Sequence, residues 1–319
     1  MINTNNHSIS NDDEDNGLIP IRVKFWIYLF FLIPSIVCSL FVLYYLLCHR
    51  NLRIALHNHT IIIVLLIGLL YEITIYPWML YFYHQNGIWE RSEFFCTLWT
   101  FIDWGLYYTQ TILFAWATIE RHILIFHHLW LTTDIKRFFL HYFPFIFLMF
   151  YCLIYYTIVM FFSSCKHQFD SHYIICVELC SFYSTSLYIY DNVAHQILPN
   201  IIIVLSNITL LFRIYRQKCR VGQSLQWQKH WKMTVQLLFV SIIYLLFALP
   251  LTLIHFLALC GLSSSPMAIS REYFLFFNYC MILLCPFACA LSLPKLHDKI
   301  KNICLARRRR RARIIVPIT

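Results

Sequence analysis

The sequence predicts an all-α integral membrane protein, a bundle of seven transmembrane helices, and three observations carry that prediction. Hydrophobic residues make up 60% of the 319 and charged residues only 13%, against about 25% charged in a soluble domain. Seven apolar runs, at roughly 24–48, 58–83, 95–119, 138–162, 193–214, 233–259 and 273–293, each reach the ~20 residues a helix needs to cross the hydrocarbon core. The basic residues gather in alternate connections between those runs.

The composition excludes several classes. A water-soluble fold built from it would have little polar surface to show to solvent. Tyr, Phe and Trp reach 18%, which suits bilayer interfaces and packed helices. A net charge of +10 would suit nucleic acid, but its placement at the ends of spans points to lipid, so no nucleic-acid partner is expected. The thirteen Cys are scattered mostly through apolar runs, where a thiol behaves as a small hydrophobe. No pair recurs with zinc spacing, and neither a metal nor a cofactor is expected. The opening residues, with Asp12, Asp13, Glu14 and Asp15, lack the basic start and apolar middle of a cleaved signal. The first run therefore reads as a retained span.

Three regions follow: a tail over 1–23, a transmembrane domain over 24–294, and an amphipathic helix with a basic tail over 295–319. Pro34, Pro77, Pro144, Pro199, Pro250 and Pro286 fall inside runs, which membrane helices tolerate because neighbours re-satisfy the backbone. No fixed-period repeat is visible. Arg50, Arg53, Arg121, Lys136, Arg137, the six Lys and Arg between the fifth and sixth runs and the nine after the seventh lie on one side, 20 of the 25 basic residues. Basic loops stay in the cytoplasm, so the N-terminus reads as outside and the C-terminus as inside, in the plasma membrane. Asn6 opens a glycosylation sequon on the outer side.

The third run carries the most specific pattern. Cys96 and Arg121 are 25 positions apart, roughly 37 Å along a helix, enough to put one at each membrane face. Asp103 and Arg121 are 18 apart, or five helical turns, and share one face. Charges in a span turn away from lipid, so this face, with Tyr107, Gln110, Phe114 and Ala117 near it, points into the bundle.

With Cys96 at the outer end and Glu120-Arg121-His122 at the inner end, the chain resembles the rhodopsin-like G-protein-coupled receptor family over roughly residues 24–305. Pro199, Pro250 and Pro286 match that family's fifth-, sixth- and seventh-helix prolines. The resemblance implies that Arg121, restrained by Glu120 beside it, couples to a heterotrimeric G protein when released. It also implies a disulfide from Cys96 to the loop before the fifth span. Cys165, Cys176 and Cys180 are the candidates, and Cys180 is preferred. The stretch from Lys295 to Cys304 resembles the family's eighth helix, with Cys304 open to lipidation. Arg307 to Arg311 would draw anionic membrane lipid at about 1 kcal/mol per charge.

The departures are several. Gly68 or Leu69 stands where the family has its sodium-binding Asp, and Ala248 where it has a sixth-helix Trp. Cys285-Pro286-Phe287-Ala288-Cys289 replaces the seventh-helix Asn-Pro motif, His122 replaces the usual Tyr, and Asn207 replaces a fifth-helix Tyr. In amine-binding members an Asp seven residues after the outer Cys holds the ligand ammonium, and a Tyr seven before the seventh-helix Pro bonds to it; Asp103 and Tyr279 occupy those places. Glu72, Asp191, His195 and Tyr107 complete the expected ligand set. Three acids around one cavity would favour a small cation or a basic peptide. The alternative reading is an ion- or proton-coupled transporter using the same acids. No spacing of His and acid marks an enzyme.

Overall fold

The structure, a computed structural model, describes residues 19–126, 133–171, 173–220, 225–262 and 265–292. Among these, seven long helices follow one another up and down. They are α1 (Ile21–Cys48), α2 (Leu56–His84), α3 (Glu93–Phe126), α4 (Phe143–Phe161), α5 (185–220), α6 (Leu225–Leu259) and α7 (Ser265–Ser292). The runs read from sequence all fall inside these helices or reach just past their ends. The helices extend further because polar residues continue them beyond the hydrocarbon. α1 packs on α2 and α7, closing a ring, and α3 touches α2, α4, α5 and α6 from its centre. Asn6, the stretch from Lys295 to Cys304 and the Arg307 to Arg311 run lie outside the described residues.

Six described helices are long and apolar enough to cross a bilayer alone, and α3 is not among them. Its buried residues include Thr100, Asp103, Gln110, Thr111, Thr118, Glu120 and Arg121. The other helices shield it from lipid, so it needs no continuous apolar surface. The outward faces carry the opposite character: Phe30, Phe147 and Leu246 are exposed, as lipid contact requires.

Two helices begin with a wider turn. A π segment, Phe138–Tyr142, precedes α4, and another, Asn192–Ile197, interrupts α5 ahead of Pro199. Proline lacks an N–H and clashes with the carbonyl four residues back. The extra residue of a π turn relieves that clash and rotates the preceding side chains. That rotation sets the inward direction of Asp191 and His195.

Between α4 and α5, β1 (Gln168–Phe169) pairs antiparallel with β2 (Val177–Glu178), Gln168 opposite Glu178. This hairpin corrects the expected disulfide. Cys96 bonds to Cys176, with Cα atoms 5.4 Å apart, and Cys180 bonds to Cys165. The register explains it. Continued towards the hairpin's open end, the pairing brings residues 165 and 180 together, so that link closes the base. Cys176, beside the buried Val177, is carried onto the first turn of α3.

Arg91, in the connection between α2 and α3, pins this loop. Its guanidinium lies 5.0–5.4 Å from the ring centres of Phe82, Trp89 and Trp99. It donates to the carbonyls of Trp89, Ser171, Tyr173 and Ile174 at 2.7–3.2 Å. Burial lowers its pKa to about 10, so it stays charged at neutral pH. Arg91→Lys keeps the charge but loses the planar fork. Hydrogen exchange at the Tyr173 and Ile174 amides should speed up by about 1–3 kcal/mol of local opening energy. Unchanged protection would show that the disulfides alone hold the loop.

Candidate functional site

Asp103 sits on the inward face of α3 and is 3% exposed. Tyr71 of α2 and Tyr279 of α7 both donate to it, Tyr279 Oη at 2.9 Å from Oδ2. The Tyr279 contact joins the two residues that the sequence pattern paired. No cationic side chain among the described residues forms an ion pair with Asp103. Tyr107 lies one turn further along and donates to Asn278 of α7 at 3.3 Å rather than to Asp103.

The three expected acids do not meet. Glu72 is fully buried, accepts from Ser35 and Ser39 of α1, and so faces the α1–α2–α7 seam. Tyr71 and Glu72 are adjacent, about 100° apart around the helix, and only the tyrosine can point at Asp103. Asp191 lies on the far side of α3. It accepts from Tyr156 at 3.1 Å and is 2.9 Å from His195 Nδ1. His195 Nε2 is in turn 2.8 Å from the Tyr151 hydroxyl. Asp191 and His195 are i and i+4, stacked on one helix face. Asp103 and Asp191 are thus two separate polar centres, and Glu72 is a clasp between helices.

At the opposite end of α3, Glu120, Arg121 and His122 turn in three directions. Glu120 accepts from Thr60 of α2 at 3.1 Å and is hydrogen-bonded to His141 of the π segment. Arg121 is 1% exposed, in the Coulomb field of Glu120. His122 Nε2 is 2.7 Å from the Ser206 carbonyl of α5. His141 also meets His59, Nε2 to Nδ1, at 3.0 Å.

A cavity of about 10 Å³ lies between these two ends, lined by Gln110, Phe114, Val240, Tyr244 and Met281 among others. That is room for about one water, and none of the expected ligand residues lines it. Among the described residues, no group of three His, Cys, Asp or Glu is placed to hold a metal. Sequence reasoning missed Tyr71, His141, His59, Arg91 and Cys176. Of these only Arg91 carries a visible signal, a lone cation in an outer loop.

A central polar helix ringed by six apolar ones, bonded by disulfide to a loop hairpin at one end and holding a buried arginine at the other, defines a seven-helix membrane receptor. The profile of the 7 transmembrane receptor (rhodopsin family) matches residues 38–291, and the chain belongs to that family. It is accordingly a multi-pass membrane protein and a receptor that signals through G proteins, not an enzyme. No curated protein matches the chain significantly.

Proposed function

We propose that this receptor binds an extracellular cationic ligand, an amine or a basic peptide, with Asp103 as its counter-ion, and couples through the Arg121 end of α3. The observation that carries this reading is a deeply buried acid with phenols but no cation beside it. A lone carboxylate in low dielectric attracts an ammonium far more strongly than one in water. Tyr71 and Tyr279 hold α2 and α7 to α3 through that carboxylate. A ligand cation that displaced either phenol would loosen one of these ties and favour a second arrangement of the bundle. Asp191 and His195 form an additional polar contact for a larger ligand.

The orientation belongs to the same proposal: N-terminus and disulfide loop outside, Arg121 facing the cytosol, the whole in the plasma membrane. Glycosylation of Asn6 and lipidation of Cys304 accompany it.

The test is a panel of amines and Lys/Arg-rich peptides in cells with a G-protein readout, comparing wild type with Asp103→Asn. Loss of a charge-assisted hydrogen bond should lower potency by roughly 10- to 100-fold. Equal potency on both receptors would rule out the cationic ligand. Uptake of the same probe into vesicles, with no G-protein response to it, would instead favour transport.

A further inference from the structure

The histidines around Glu120 form a chain from the membrane edge to a buried acid. His59 Nε2 is 2.7 Å from the Arg53 carbonyl, His59 Nδ1 is 3.0 Å from His141 Nε2, and His141 Nδ1 is hydrogen-bonded to Glu120. His141 is 1% and Glu120 2% exposed, whereas His59 is half-buried.

The hydrogens can be counted. The Arg53 carbonyl only accepts, so His59 Nε2 carries a hydrogen. An ionised Glu120 only accepts, so His141 Nδ1 carries one too. Were both rings neutral, the two remaining nitrogens would face each other as bare lone pairs at 3.0 Å. One further proton on that line joins them. Protonating Glu120 instead gives the same total: Glu120 then donates to His141 Nδ1, and His141 Nε2–H donates to His59 Nδ1. Either arrangement holds one proton more than a carboxylate with two neutral imidazoles.

We infer that Glu120, His141 and His59 form a proton-binding site whose occupancy sets how firmly the inner end of α3 is tied to α2 and α4. The functional consequence rests on the coupling role assigned to the Arg121 end. The groups facing the chain are few. α3 contributes Glu120 and Arg121, α2 contributes His59 and uncharged Thr60, and α4 contributes Tyr142, its ring 5.9 Å from His59, and apolar Phe145, 5.6 Å from His141. Arg53 meets it through a backbone carbonyl. With the proton bound, the chain is continuous and Glu120 is held. With the proton lost, two lone pairs oppose each other, the chain parts, and the resting arrangement weakens. Basal signalling should therefore rise with cytosolic pH.

The experiment uses purified receptor in lipid nanodiscs, without ligand, catalysing nucleotide exchange on a panel of purified heterotrimeric G proteins. Between about pH 6 and pH 8, where histidine changes charge, the wild-type rate should rise about tenfold, as loss of one charge-assisted hydrogen bond would produce. His141→Phe fills the same space without the chain and should be fast and flat across that range. His59→Gln offers an amide N–H to His141 Nε2 with no added proton and should be slow and flat. The same pH slope in wild type and both variants would overturn the proposal. Nitrogen-15 signals of the two rings give a readout independent of signalling: one proton shared between His59 and His141 is expected, and two neutral rings throughout the range would also overturn it. Failure of the coupling assignment is distinguishable, as undiminished exchange by Arg121→Ala with the shared proton still present.

Discussion

Arg121→Ala should abolish G-protein activation, by roughly 100-fold or more, as expected for a buried arginine at the centre of a contact, while surface expression stays near wild type. The two halves of this outcome have different causes. Expression survives because the neighbours of Arg121 keep their own partners. Glu120 remains bonded to Thr60 and His141, and His122 to the Ser206 carbonyl. Removing the cation therefore leaves no buried acid stranded, the usual reason such a substitution is costly. Signalling is lost because the guanidinium is what the inner end of α3 has to offer a partner. It is 1% exposed in this arrangement and becomes useful when the helices around it part. Arg121→Lys, which keeps charge but not the fork, should fall between the two. Radioligand-independent surface labelling and nucleotide exchange measure the two halves separately. Normal exchange by the alanine variant would remove Arg121 from the coupling mechanism.

How far the sequence could be read follows from which interactions are local. Six of the spans are legible because lipid demands apolar residues all along a helix. α3 is different: hydropathy does not find it, and it was visible only because Asp103 and Arg121 repeat on one helical face. The partners of that face were less visible. Tyr279 could be matched through its spacing from Pro286. Tyr71 could not, since nothing in a run of tyrosines tells which one turns inward. The same phase problem scattered the expected acids, because Glu72 beside an inward Tyr71 must face elsewhere. His59 and His141 are 82 residues apart, and only the packing of α2 on α4 makes them neighbours. The disulfide was misread for a related reason. The choice among Cys165, Cys176 and Cys180 depends on a hairpin whose strands are two residues each, too short to leave an alternating pattern.

That hairpin yields the second large effect. Cys176→Ser should destabilise the receptor much more than Cys180→Ser, although both serines sit in the same loop. The Cys96–Cys176 bond spans 80 residues and joins the loop to the head of α3, whereas Cys165–Cys180 spans 15 and closes the loop on itself. Chain-entropy reasoning gives about 4.5 kcal/mol for the longer closure against about 3 kcal/mol for the shorter. The difference in function is larger than that ratio. Without the first bond, Val177 and Leu179 lose their hold on the cluster around Tyr108 and Tyr156, next to the Asp191 centre. Without the second, the hairpin pairing, the Arg91 contacts and the link to α3 all remain. Thermal unfolding in detergent, read beside non-reducing peptide mapping, separates the cases. Cys176→Ser should show poor surface delivery and a markedly lower midpoint, and Cys180→Ser a modest shift with Cys96–Cys176 intact. A map in which wild-type Cys96 is joined to Cys180, or equal losses in the two variants, would show that the hairpin does not hold the register on which the outer end of the bundle is built.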